Sequence, residues 1–200
     1  MTILVTGATG LVGQELVGLL LQNGHTVHYL STSKKKLVHN NHYKGFYWNT
    51  KTAEIDLDSL TDVEVIVHLA GANVAQKWST SYKEEILQSR VLSTKLLFQT
   101  LQKTPNNVKQ IVSASAIGIY PDSLTNIYHE TDIDIDISFL GNVVQQLENE
   151  VNQFEKLDVV VSKIRIGIVL AKNGGALQEM AKPIKYGVGA AFGSGKQYQS

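Results

Sequence analysis

Three observations predict an α/β fold built on a doubly wound parallel sheet with helices on both faces. Short runs that are almost wholly apolar recur along the chain, as strands buried on both faces do. Longer segments with apolar residues at helical spacing separate them. A glycine triplet, "GATGLVG" at residues 7–13, stands at the first strand-to-helix junction.

Ile3-Leu4-Val5 reads as the first buried strand. Past Gly10, the residues Leu11, Val12, Leu16, Val17, Leu19, Leu20 and Leu21 recur at helical spacing, and Asn23-Gly24 supplies a C-terminal stop. "TVHYL" is the second strand, so the chain opens with a βαβ unit. "GFYWN" is a third strand, and "VEVIVHLAGA" (63–72) a fourth that runs into a glycine. A long helix is predicted over 79–103, with Ile86, Leu87, Val91, Leu92, Leu96, Leu97 and Leu101 as its apolar stripe and Thr104-Pro105 as its end. "VKQIVSASA" (108–116) is the fifth strand, 142–156 a helix, "DVVVSKIRIGIVL" (158–170) a further strand, and "GGALQEMAKPIKYG" a last helix limited or kinked by Pro183. The terminal "GVGAAFGSGKQYQS" reads as a loop cut short, which leads to the expectation that the chain continues beyond Ser200.

Composition narrows the function classes. Hydrophobic residues make up 43% of 200, a globular composition that suits a single domain. Lys+Arg and Asp+Glu are both 18, so bulk charge gives no support to a nucleic-acid or membrane partner. The absence of cysteine excludes disulfides and thiolate chemistry and fits a reducing compartment. No signal peptide and no bilayer-length apolar stretch is seen, so a cytoplasmic location is expected. Nor is a metal site expected. Only His39 and His42 lie close among the histidines, and "DIDIDI" (132–137) has Ile137 where a calcium loop needs glycine, so it reads as a solvated segment.

The triplet Gly7, Gly10, Gly13 follows a strand, opens a helix and sits in a βαβ unit, the setting of a dinucleotide cradle. Gly7 permits a tight turn, Gly10 lets a pyrophosphate approach the backbone, and Gly13 lets the helix lie close to the strand. The free N–H groups of the helix start then face the phosphates. An NAD site wants a carboxylate at the end of the second strand for the ribose 2′-OH. This chain has "YLSTSKKK" there, with Ser31, Thr32 and Lys34, which points to the 2′-phosphate of NADP with NAD as the alternative. The competing reading of "KKK" is a solvated helix start.

"TGATGLVG" and "HLAGANV" resemble the extended short-chain dehydrogenase/reductase superfamily. "KWSTSYKEEILQSRVLST", "SASAIGIYP", "IRIGIVLAKNGGAL" and "GSGKQYQS" narrow the resemblance to its atypical epimerase-like branch, the epimerase family proteins, over essentially the whole chain. The resemblance implies a Rossmann-like NAD(P)-binding domain over 1–165 and the beginning of a substrate-binding region over 166–200. It implies that Gly7, Thr9, Gly10, Leu11 and Val12 hold the pyrophosphate, and that Leu69, Ala70, Gly71 and Ala72 pass beside adenine and ribose. The family usually carries an arginine near Thr32, and here Ser31, Thr32 and Lys34 stand in for it. Ser113 and Ser115 end the fifth strand, with Ser115 in the place of the catalytic serine. Arg165, Gly167 and Ile168 would close over the nicotinamide, and Asn73, Trp78 and Tyr120 would line a substrate pocket.

The superfamily's Tyr-x-x-x-Lys is missing. With Glu148 as the anchor, the tyrosine position falls near Leu140 and the lysine position near Val144, and neither transfers a proton. The remaining acid–base candidates are Ser115 and Tyr120. His68 reads as a satisfied core histidine, Lys163 as an exposed strand residue, and Glu130 and Asp132 as solvated loop charges. Two functions stay open: an NADP-dependent oxidoreductase or nucleotide-sugar-epimerase-like enzyme on an unknown small molecule, and a dinucleotide-binding sensor or scaffold with little or no catalysis. A homodimer is left open as the assembly.

Overall fold

The computed structural model describes residues 1–190 and Gly195, so most of the predicted terminal loop, with all of "GSGKQYQS" but Gly195, lies outside the described residues. The elements alternate as the apolar runs require. Strand β1 (Thr2–Thr6) leads to helix α1 (Leu11–Gln22), then to β2 (Thr26–Ser31) and β3 (Tyr43–Asn49). A two-residue strand β4 (Glu54–Ile55) precedes β5 (Val63–His68), and helix α2 (Thr80–Lys103) leads to β6 (Gln110–Ala116). Helix α3 (Phe139–Asn152) precedes β7 (Val160–Ile166), and the hairpin β8 (Leu170–Ala171) and β9 (Gly174–Gly175) leads into helix α4 (Ala176–Lys185).

Strands β1 to β7 form one sheet in the order β4-β3-β2-β1-β5-β6-β7. All neighbours pair parallel except β3 with β4. The order reverses at β1, so α1 covers one face and α2 and α3 the other, as right-handed crossovers demand. On the first face Val17 packs with Ile3, Val5, Val27 and Tyr29. On the second, Leu96, Leu97, Leu101 and Phe154 cover Leu4, Ile66 and Ile111. The hydroxyl of Ser79 caps α2 by accepting from the Tyr82 N–H at 3.2 Å, and Ser138 caps α3 in the same way.

Three expectations need correction, and one strand was not predicted. The fourth predicted strand stops at His68, and residues 69–72 are not sheet: the Leu69 N–H is shared between the Thr6 carbonyl and hydroxyl, and the N–H groups of Ala70 and Ala72 go to side-chain acceptors. The run over 158–170 is β7 followed by a break at 167–169 before β8 begins at Leu170. The helix predicted over 142–156 starts earlier, at Phe139, and its last turn tightens into a 3₁₀ segment over 153–157. Strand β4 carries no sequence signal, since two residues hold no period, and it makes the predicted fourth strand the fifth.

Gly13 shows how closely α1 lies on the turn before it. A Cβ there would stand 2.2 Å from the Gly7 carbonyl oxygen, whereas one at Gly18 meets nothing within 4 Å. Gly13→Ala should therefore destabilise the fold by about 2 kcal/mol or more. Gly18→Ala, in the middle of α1, should stabilise it by about 0.5 kcal/mol or more. Urea unfolding of both variants checks the pair, and a Gly13→Ala protein as stable as the parent would contradict the packing.

Candidate functional site

The C-terminal ends of the strands around β1 open into a cleft of about 850 Å3, the size range of small-molecule and cofactor pockets. Gly7 and Thr9 form its floor, Ser31, Thr32, Ser33 and Lys36 one end, the segment 47–51 one side, and Ala70, Gly71 and Ala72 the opposing side. The floor is a backbone cradle. Gly7 has φ +70, where an L side chain is strained, and the Gly10 N–H donates to the Gly7 carbonyl at 2.9 Å. Gly10 is the N-cap of α1 and offers no side-chain acceptor, and the first turn carries no carboxylate. The N–H groups of the first turn thus face outward with the positive end of the helix dipole behind them.

Residues 69–73 are held from below. The Thr6 hydroxyl accepts from the N–H groups of Leu69 and Ala70, each at 3.1 Å, and lies 2.7 Å from His68 Nδ1. With both lone pairs occupied, its single hydrogen goes to Nδ1. His68 Nε2 then carries the ring hydrogen and donates to Thr94 Oγ1 at 3.1 Å, whose own hydrogen goes to the Arg90 carbonyl. Burial, and after it the charge of Arg90, lowers the His68 pKa to about 4, so the ring is neutral, as a satisfied core histidine should be. Arg90 donates to the carbonyls of Ala72 and Ile86, and Ser89 accepts from the Ala72 N–H. Gly71 packs on the Arg90 guanidinium, 2.9 Å from where its Cβ would be.

At the ends of β6 and β7 a second group forms around Glu148, a buried carboxylate of α3. Ser115 Oγ donates to Oε1 at 2.5 Å, Arg165 Nε donates to Oε1 at 3.0 Å, and Arg165 Nη2 donates to Oε2 at 2.9 Å. Burial alone would raise the Glu148 pKa. The hydrogen bonds from Arg165 and Ser115, with the charges of Arg165 and Lys163, outweigh it and hold the carboxyl below the usual range. The hydrogen bond to Glu148 also holds Arg165 above its usual value. Arg165 Nη1 donates to the Tyr120 hydroxyl, which itself donates to the His129 carbonyl at 2.9 Å. Tyr120 stacks on Tyr128, with ring centroids 5.2 Å apart.

The structure thus gathers Gly7, Thr9, Ser31, Thr32, Ala70, Gly71 and Ala72 at one cleft. Gly10, Leu11, Val12 and Gly13 build the helix start beneath it. Ser115, Tyr120 and Arg165 meet around Glu148, whereas Ser113 is buried below them with its hydroxyl on the Ala114 carbonyl. Lys34 reaches back over the Tyr47 ring, 4.7 Å from its centroid. Asn73 and Trp78 close their own loop: Asn73 accepts from the Ala75 N–H and the Tyr82 hydroxyl, and the Trp78 indole donates to the Val74 carbonyl. Gly167 and Ile168 sit in the break after β7, with Ile168 exposed. Lys163, expected to be exposed, is partly covered and donates to Asn152 Oδ1 at 2.7 Å. Sequence reasoning gave Glu148 no role beyond an anchor. Its signal was present, for it interrupts the buried stripe Val144, Leu147, Val151.

Two expectations follow. A histidine whose pKa is lowered in the folded state contributes stability above its unfolded value of about 6.5 that is lost as pH falls toward about 4. Thermal stability should fall over that window, and His68→Asn, which keeps an acceptor for Thr6 and does not titrate, should flatten the slope. His28, also lowered by burial, adds a similar slope to both proteins, so the difference between them is the measurement. Glu148→Gln leaves the Arg165 charge without its partner and should cost about 2 kcal/mol or more in denaturant unfolding.

Known proteins agree with this architecture. The NAD dependent epimerase/dehydratase family matches residues 3–137. Epimerase family proteins of Staphylococcus saprophyticus and Staphylococcus aureus are each 33% identical, over 98% of this chain and 65% of their own length, so the chain spans about two thirds of these relatives. The crystal structure of a human epimerase family protein with NADPH superposes with a TM-score of 0.79 at 28% identity, over 100% of this chain and 64% of that one. A nucleoside-diphosphate sugar epimerase from Corynebacterium glutamicum superposes with 0.78 at 29%, over 98% and 39%. Among the described residues no helix is long and apolar enough to cross a membrane. With the matched segment running from the first strand through the Ser115 strand, the chain belongs to the NAD dependent epimerase/dehydratase family.

Proposed function

We propose that this chain binds NADP(H), with NAD as the weaker alternative, and forms the dinucleotide-binding part of an oxidoreductase or nucleotide-sugar-epimerase-like enzyme acting on an unidentified small molecule in the cytoplasm. One observation carries the reading. The glycine cradle under α1 opens into the same cleft as Ser31, Thr32 and Lys36, with no carboxylate on the strand end where a 2′-OH would be held. The NADPH in the human relative's crystal structure supports it.

Gly7, Gly10 and the first N–H groups of α1 would hold the pyrophosphate, with the 69–72 segment along the adenine and ribose. When bound, the nicotinamide supplies the hydride-transfer chemistry. Ser115 would stand at the nicotinamide end, on the strand end where the order of a doubly wound sheet places ligands. Its single hydrogen is donated to Glu148, so toward a ligand it offers a lone pair. To polarise a carbonyl it must first turn away from the carboxylate. The Tyr120 proton is likewise given to the His129 carbonyl.

That commitment of both protons, together with Leu140 and Val144 in place of the tyrosine and lysine, favours a second reading, a dinucleotide-responsive sensor with little catalysis. Fluorescence titration should show NADPH binding about tenfold more tightly than NADH, as an added charged contact predicts. Equal affinities, or none, would remove the cofactor assignment. A substrate-panel assay of NADPH oxidation then separates the two readings. Turnover that drops at least about tenfold in Ser115→Ala or Tyr120→Phe fits the enzyme, turnover unchanged in both removes those roles, and tight NADPH binding without turnover fits the sensor.

A further inference from the structure

We propose that Lys51, on the turn between β3 and β4, acts with Lys36 as the cationic clamp that selects a 2′-phosphate. This rests on the NADP(H) reading above and assigns its specificity to residues outside the predicted "STSK" cluster.

The sheet brings the two lysines to one cleft. Strand β3 runs parallel to β2 in the register Ser31↔Tyr47, so both strands finish at the same edge. The chain after β3 returns as β4 through Trp48↔Ile55 and Asn49↔Glu54, and the turn between them projects past the end of Ser31. Asn49 Oδ1 accepts from the Lys51 N–H at 3.0 Å, which fixes the turn. Thr50 and Lys51 then line the same cleft as Ser31, Thr32 and Lys36.

Lys36 is held from the core. The phenol of Tyr29, 1% exposed, donates to the Lys36 carbonyl at 2.6 Å and accepts from the Val38 N–H at 2.8 Å. A buried side chain of β2 therefore sets where the lysine leaves the backbone. Lys34 is not among the residues that line the cleft, and its ammonium is held over the Tyr47 ring. Among the described residues neither Lys36 nor Lys51 forms an ion pair. Two carboxylates of α2, Glu84 and Glu85, line the cleft as well, and among the described residues neither pairs with Lys36 or Lys51. Two lysines without carboxylate partners, in the cleft that Ser31 and Thr32 also line, suit a doubly charged phosphate monoester and give a bare ribose hydroxyl nothing comparable.

The test uses the full chain and two probes that differ only in the group concerned, 2′,5′-ADP and 5′-AMP, measured by calorimetry. The parent should prefer 2′,5′-ADP, and added salt should erode the preference. Lys51→Ala should weaken 2′,5′-ADP about tenfold and 5′-AMP less than about twofold, with Lys36→Ala acting in the same direction. Lys103→Ala, at the far end of α2, controls for general charge. Equal losses for both probes, no loss in Lys51→Ala, or a larger loss in Lys34→Ala would each overturn the assignment. A parent that binds the two probes equally overturns it while leaving dinucleotide binding in place. A parent that binds neither overturns the cofactor reading and this clamp together.

Discussion

The Thr6 hydroxyl is the joint on which the site depends. It ends β1, immediately before the glycine cradle, and it holds β5 through His68 and the two N–H groups that follow. Gly7 then lies so close to Leu69 that a Cβ would stand 2.8 Å from its carbonyl carbon. The floor of the cleft and its opposing side are therefore one unit, and neither moves without breaking buried hydrogen bonds. Each such bond left unmade costs about 1–3 kcal/mol. The arrangement also requires a neutral histidine, because Nδ1 must accept and Nε2 must donate. A valine or leucine at position 68 would fill the space and leave Thr6 and Thr94 without that partner.

The two ends of the sheet edge around this joint differ in kind. The nucleotide end is open: among the described residues the first N–H groups of α1 have no acceptor in the chain, and Thr32, Lys36 and Lys51 line the cleft without ion pairs. The Ser115 end is closed on itself, with the serine hydrogen, both oxygens of Glu148, three guanidinium nitrogens and the phenol hydrogen all used within the protein. Binding and chemistry thus place opposite demands on neighbouring strands. A binding surface gains from groups left unpaired, because the ligand completes them. A carboxylate in an apolar helix stripe must be paired to be kept at all.

How much of this the chain announces depends on the range of the interactions. The cradle was legible because its signal is local, three glycines between an apolar run and a helical stripe. The hydroxyl and lysine cluster after β2 was legible as chemistry, but which lysine faces the cleft was not. Lys34 and Lys36 are set apart by Tyr47, which acts from the neighbouring strand β3, and by Tyr29, which reaches the Lys36 carbonyl from the buried interior of β2. Glu148 was hidden for the same reason, since its partners lie 33 residues before it and 17 after. Lys51 had no signal, because β4 is too short for a pattern and nothing local placed that turn beside Ser31.

The missing Tyr-x-x-x-Lys acquires a structural meaning from these contacts. Val144, at the expected lysine position, is buried, so α3 meets its neighbours there through an apolar side chain. One helical turn later Glu148 makes the polar contact with Ser115, an anion in the region where the motif would supply a cation. The cation comes instead from β7, as Arg165, and it touches both Glu148 and the Tyr120 phenol. Serine, tyrosine and a positive charge are thus all present at this end of the sheet, but the tyrosine comes from the loop after β6 and the charge from β7. An arginine cannot give up its proton in the relevant pH range, whereas a lysine can. Arg165 therefore orients Glu148 and Tyr120 without exchanging a proton itself, and Lys163, 3.9 Å from Glu148, adds a second cation from the same strand.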